Sequence, residues 1–218
     1  MFDTCLPHPR TIEKWFQTVD GAPGFTTESF NALKVRGDNG RPLICALMMD
    51  EVAIRQKIEW DGKKFQGHVD MGTEIDDDSL PLAKEALVLM VVGINDRFKL
   101  PIAYFLIDGL GSQERANLVS QALEKLSTIN VRVVSLTFDG HASNLAMIKH
   151  LGCNLDVNSQ NFKTWFKHPS DEYDVHVFLD PCHMLKLVRN TLGDKGSIVD
   201  GAGKMIKWKY IRKLNQFQ

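Results

Sequence analysis

The chain has 218 residues, 44% hydrophobic and 24% charged, a balance ordinary for a globular protein of one or two packed domains. With 26 basic against 27 acidic residues its net charge is −1, so no overall basic excess marks it as a binder of nucleic acid. Cys5, Cys45, Cys153 and Cys182 stand far apart with no CxxC pair, no apolar leader opens the chain and no apolar run reaches ten residues; this excludes a zinc ribbon, a disulfide framework and a membrane span, and the expectation is a soluble intracellular protein.

From the N-terminus, Pro9 to Val19 predicts a short helix, with Ile12, Trp15, Phe16 and Val19 at helical spacing, stopped by Gly21-Ala-Pro-Gly24. Thr27 to Lys34 predicts a second, ahead of the loop Gly37 to Pro42. Leu43 to Met49 is a continuous apolar run ending at Asp50, as expected of a central strand buried on both faces. Trp60-Asp-Gly-Lys63 predicts a hairpin turn between Lys57-Ile-Glu59 and Lys64-Phe-Gln66, and the acidic run Glu74 to Asp78 follows as a loop. Ala86 to Ile94 and Pro101 to Ile107 predict two paired strands around the turn Asn95 to Lys99.

Ser112 is placed as the N-cap of an amphipathic helix, with Glu114 in its first turn and Ala116, Val119, Leu123 and Leu126 as its buried stripe. Val131 to Phe138 predicts a strand ending at Asp139, and Ala142 to Leu151 a helix stopped by Gly152. Asp174 to Leu179 predicts a further strand, leading through Asp180-Pro181 into a helix to about Leu192, and Lys204 to Phe217 reads as helical. Three strands joined by short turns and then alternation with helices imply an α/β protein with a mixed sheet flanked by helices.

Asp50 and Asp139 each follow directly on an apolar strand. If those strands are neighbours, both carboxylates reach one site suited to Mg²⁺ or Mn²⁺, and two such ions about 3.5–4 Å apart activate water and stabilise a leaving oxygen in phosphodiester cleavage. Either one alone is more often a turn former or cap. Glu51 is a spare carboxylate, which strand alternation points away from Asp50. Asp180 before Pro181 reads as an N-cap with proline at the first helical position, and His183, Lys186, Leu187 and Asn190 then share a face. Lys186 and Arg189 there are candidates for phosphate contact. So are Lys207, Lys209 and Arg212, in a basic stretch interleaved with Trp208 and Tyr210 whose other reading is a solvated helix face. Cys182, His183 and His176 have no zinc spacing, and Gly201-Ala-Gly-Lys-Met205 fails as a P-loop because Met205 replaces the Ser or Thr that would meet Mg²⁺.

Three separated motifs, Leu47-Met-Met-Asp50-Glu-Val-Ala-Ile54, Thr137-Phe-Asp139-Gly-His-Ala-Ser-Asn144 running on to Gly152, and Phe178-Leu-Asp180-Pro-Cys-His183 running on to Asn190, resemble P-element-type transposases, including those joined to THAP zinc fingers. Leu6 to Trp15 with Pro23-Gly-Phe25 resembles the segment before their catalytic domain. The resemblance implies an RNase H-like fold whose DDE/D triad cuts and rejoins DNA with Mg²⁺ or Mn²⁺. Asp50 would be the first acid and metal ligand, Asp139 the second, and Asp180 with His183 a positioning element. It implies an N-terminal helical segment over 1–36, an incomplete RNase H-like core over 37–193, and over 194–218 the start of a helical insertion domain that binds GTP only when complete. In the family the third acid, a Glu, lies beyond that insertion, and the 218 residues hold neither it nor the ligand pattern of a THAP zinc finger. The 218 residues alone are therefore expected to have little or no transposase activity. Implied for the full-length protein are transposon-end DNA as partner, a homo-oligomer, no membrane and a nuclear location. The alternative is a non-catalytic transposon remnant that binds DNA or regulates.

Overall fold

The computed structural model describes residues 8–16, 21–37, 41–60, 62, 65–73 and 80–217. In chain order its elements are α1 (Pro9–Phe16), β1 (Gly24–Phe25), α2 (Thr27–Gly37), β2 (Leu43–Ala53), β3 (Glu59–Trp60), β4 (Phe65–Gln66), β5 (Glu85–Gly93) and β6 (Lys99–Ile107). Then follow α3 (Ser112–Ser127), β7 (Val131–Phe138), α4 (Ala142–His150), β8 (Trp165–Lys167), β9 (Asp174–Leu179), α5 (Pro181–Lys195), β10 (Ser197–Val199), β11 (Met205–Lys207) and α6 (Lys209–Gln216). The acidic run over 74–78 and the last residues of the expected first helix, 17–19, lie outside the described residues.

Seven strands form one mixed sheet in the order β1-β6-β5-β2-β7-β9-β8. The long strands β6, β5 and β2 pair antiparallel, β5 and β6 through a short turn and β2 and β5 through the longer segment that carries the β3–β4 hairpin. By contrast, β7 and β9 run parallel to β2 and to each other, with α3 before β7 and α4 before β9. This is the mixed α/β sheet that the order of elements implied. Along β2 the side chains of Leu43, Cys45, Leu47 and Met49 are buried, while Met48 and Asp50 are exposed. The buried set packs with Leu33 of α2, Val119, Ala122, Leu123 and Leu126 of α3, and Met147 and Ile148 of α4. One face of the sheet thus carries the core. On the other, Met48 and Phe178 are 40% and 57% exposed, so β2 and β9 alternate rather than being buried on both sides.

Two local expectations are corrected. Ser112 is the first residue of α3 rather than its cap: Gly111 holds the extended cap position, with no side-chain cap bond, and Ser112 Oγ instead meets His150 Nε2 at 3.1 Å. The stretch from Lys204 is not one helix. Met205 to Lys207 pairs with Ser197 to Val199 as a hairpin, and only Lys209–Gln216 is helical. The reason is the turn between them: Asp200 Oδ1 accepts from Ala202 N (2.9 Å) and Lys204 N (2.8 Å), and Gly203 takes a left-handed φ of 77°. Trp208 then folds back on α5, its ring 3.6 Å from where a β-carbon on Gly193 would stand.

Candidate active site at the strand ends

The ladders set the site. Leu47 pairs with Leu136 and Met48 with Thr137 across β2 and β7; Thr137 pairs with Phe178 and Phe138 with Leu179 across β7 and β9. Continued by one or two residues, these registers place Asp50, Asp139 and Asp180 in a row at the ends of three adjacent strands, about 4.8 Å apart from one strand to the next. The backbone extends the pairing that far, since Asp180 N donates to Phe138 O at 2.8 Å. The three carboxylates interact electrostatically. Burial raises the Asp50 pKa above the usual aspartate value, Asp139 and Asp180 raise it further, and His183 partly offsets them. Met49, Asp50, Glu51, Leu87, Asp139 and Asn144 line a cleft of about 40 Å³, room for a few water-sized groups. A larger hollow of about 590 Å³ lies along Val92 to Lys99, at the opposite end of the sheet from the paired acids.

Each acid is held differently. Asp50 Oδ1 accepts from the next backbone amide, Glu51 N, at 2.9 Å. Asp139 Oδ1 accepts from His141 N (3.0 Å) and from Asn144 Nδ2 (2.8 Å), which fixes the loop between β7 and α4 around the carboxylate. Asp180 uses Oδ1 to cap α5, accepting from Cys182 N at 3.0 Å, with Pro181 in the first turn as its position predicts. His183 is half-buried one turn along, within reach of the Asp50 charge. Among the described residues no three His, Cys, Asp or Glu side chains converge as a metal-ligand group. Asp50 and Asp139 stand together as two oxygen donors, and Asp180 spends its Oδ1 on capping α5.

The basic candidates are dispersed. Lys186 and Arg189 lie exposed on α5, about 9 and 13 Å along the helix axis from its Asp180 end. Arg189 donates to Asn190 Oδ1 through Nε (3.1 Å) and Nη2 (2.8 Å). Lys207, half-buried, and Lys209 and Arg212, both exposed, belong to the β11–α6 segment past the far end of α5. The structure does not bring them to the acids.

Sequence reasoning missed the group that braces Asp139. Arg115 on α3 is only 3% exposed. It donates to Leu110 O through Nε (2.9 Å) and to Asn144 Oδ1 through Nη1 (3.2 Å), and it forms an ion pair with Glu51. Burial lowers its pKa, against which Asp139 acts to raise it. Glu51 does point away from Asp50, as alternation requires, and Arg115 is what it meets there. The available signal was periodicity, since Arg115 shares a helical stripe with the buried Leu118 and Ala122.

Residues 21–152 match the family model described as "TNP-like, RNase H N-terminal domain", and residues 182–218 match "TNP-like, GTP-binding insertion domain". Over 215 residues the chain is 33% identical to DNA transposase THAP9 of Homo sapiens, covering 96% of this chain and 24% of that protein. Over 197 residues it is 26% identical to the Transposable element P transposase of Drosophila melanogaster, covering 90% of this chain and 23% of that one. The chain therefore spans about a quarter of the length of the curated relatives it matches. Among solved structures, a Drosophila P element transposase strand transfer complex superposes with a TM-score of 0.69 at 24% identity, over 97% of this chain and 43% of that one. At that identity the likeness speaks for the fold.

Proposed function

As the chain belongs to the TNP-like RNase H family, whose N-terminal domain model spans more than half of it, we propose that it is the catalytic-core portion of a P-element-like DNA transposase. In the longer protein that core carries out metal-dependent cleavage and strand transfer of DNA. The observation that carries this reading is the register that sets Asp50 beside Asp139 on parallel strands, with their charges interacting across one small cleft.

The donor set fits a hard divalent cation, Mg²⁺ or Mn²⁺. Both groups are carboxylates, and the Asp139 charge, which adds to burial in raising the Asp50 pKa, is repulsion that a cation between them would offset. Asp50 and Asp139 would hold it, and the ion when bound supplies activation of the attacking oxygen and stabilisation of the leaving one. The remaining ligand is proposed to come from the longer protein. This chain's own residues orient: Asn144 and the His141 amide hold Asp139, and Asp180 fixes the start of α5 with His183 beside Asp50. Lys186, Arg189, Lys207, Lys209 and Arg212 are proposed to contact DNA phosphates along a track leading away from the acids.

GTP is proposed as a ligand only of the complete insertion domain, whose family model residues 182–218 match. Transposon ends as substrate, a homo-oligomer and a nuclear location are proposals for the longer protein on the same grounds. Among the described residues no helix is long and apolar enough to cross a membrane. The test is fluorescence anisotropy of a labelled DNA duplex with the 218-residue chain across a salt series. Binding that weakens linearly in log salt is expected, with a slope reduced by substituting Lys186 and Arg189. An absence of binding at low salt contradicts the reading.

A further inference from the structure

We propose that Arg115 is a positioning residue for the metal site, acting through the Asn144 side chain to set which way the Asp139 carboxylate presents its oxygens. The inference rests on the reading of Asp50 and Asp139 as metal ligands. Arginine has donors only. With Arg115 Nη1 3.2 Å from the Asn144 amide, the amide must turn its oxygen toward α3, and its two N–H donors then face β7. One of them reaches Asp139 Oδ1 at 2.8 Å, and the His141 amide reaches the same oxygen at 3.0 Å. Both bonds fall on Oδ1, so Oδ2 is the oxygen they leave for a cation. Without the guanidinium, the acceptor-only Asp139 carboxylate still draws the Asn144 N–H donors, but the oxygen of an asparagine that is 5% exposed loses its donor from α3, and the amide is no longer held from both ends.

Glu51 makes the arrangement possible. An unpaired guanidinium at 3% exposure is strongly destabilising, and the Glu51 carboxylate neutralises it. The same ion pair holds Glu51, which borders the cleft, away from Asp50 and Asp139. The bond from Nε to Leu110 O fixes the guanidinium plane from its other edge, so its direction is set by three elements. Lysine, a single ammonium without the planar fork, cannot reproduce that geometry.

A purely structural role and a positioning role separate in one experiment, with Mn²⁺ alone as probe. In Arg115→Met/Glu51→Gln both charges of the ion pair are removed together, and the thermal midpoint should lie within a few degrees of wild type. Titration calorimetry should nevertheless show Mn²⁺ bound at least about tenfold more weakly, as losing one oriented support of a ligand predicts. Asn144→Ala should show the same loss, Arg115→Lys should retain the fold while losing affinity, and Asn144→Ala added to the double variant should cost nothing further. A folded double variant with wild-type Mn²⁺ affinity overturns the proposal. So do losses that simply add, and, should the double variant not fold, an Asn144→Ala protein with unchanged affinity. If wild type binds no Mn²⁺ the metal-site reading fails first, a result distinct from failure of the Arg115 link.

Discussion

Asp50 on β2 and Asp139, one residue past the end of the parallel strand β7, take facing positions when the register is continued, although an antiparallel excursion and a helix separate them in sequence. Burial first, and then the nearby Asp139 and Asp180 charges, raise the Asp50 pKa, and a pH dependence of stability follows. An acid whose folded pKa is raised binds its proton more tightly when folded, so its contribution to stability falls as pH rises from the unfolded value through the folded one. Asp50→Asn, whose side-chain oxygen can still accept from Glu51 N, should therefore raise the melting midpoint at pH 7. The rise is expected to be small, roughly 1–3 °C, because Asp50 is largely solvated. It should shrink as pH falls through the ordinary aspartate value of about 3.9 and vanish by about pH 2.5, where both states are protonated. Calorimetry at the two pH values checks this; a gain that persists in acid contradicts it.

The thiols should divide sharply. Burial pushes the Cys45 thiol up to about 12 and the Cys153 thiol up to about 11, while Cys182 is exposed at the start of α5. Alkylation at pH 8 followed by peptide mass spectrometry should label Cys182 in the native protein, and Cys45 and Cys153 only as it unfolds.

The strand that delivers Asp139 depends on Phe138, which is 1% exposed between the sheet and its covering helices. Phe138→Ala should destabilise by about 3–5 kcal/mol in urea unfolding. Mn²⁺ affinity should fall with it, because the cavity lies directly before the ligand.

Gly67 closes the base of the β3–β4 hairpin with a φ of 118°, and a β-carbon there would stand 2.1 Å from Lys57 O. Gly67→Ala should cost about 1–3 kcal/mol and release the amides around Trp60 and Phe65 to hydrogen exchange, with β2, β5 and β7 still protected.

The parts of the fold legible in the sequence were those decided by local pattern. Val131–Phe138 and Asp174–Leu179 are bounded by turn residues and read as strands residue for residue, and Asp180-Pro181 announces its own helix. The β10–β11 hairpin was hidden because three-residue strands carry no periodicity, and the Asp200–Gly203 turn holding it was weighed only as a phosphate loop. Gly111 took the cap from Ser112 through backbone geometry, which a preference for hydroxyl caps does not contain. Arg115 is a tertiary fact. Its place on the buried stripe of α3 is periodic, but its partners Glu51 and Asn144 lie on two other elements.

The most direct test is a Mn²⁺ titration of the 218-residue chain beside Asp50→Ala, Asp139→Ala and the double substitution. If both carboxylates hold one cation, each single substitution removes most of the affinity and the double removes little more, because the second acid has no bound ion left to support. Wild-type affinity in either single variant, or losses that add in the double, would show that the two aspartates do not share a site.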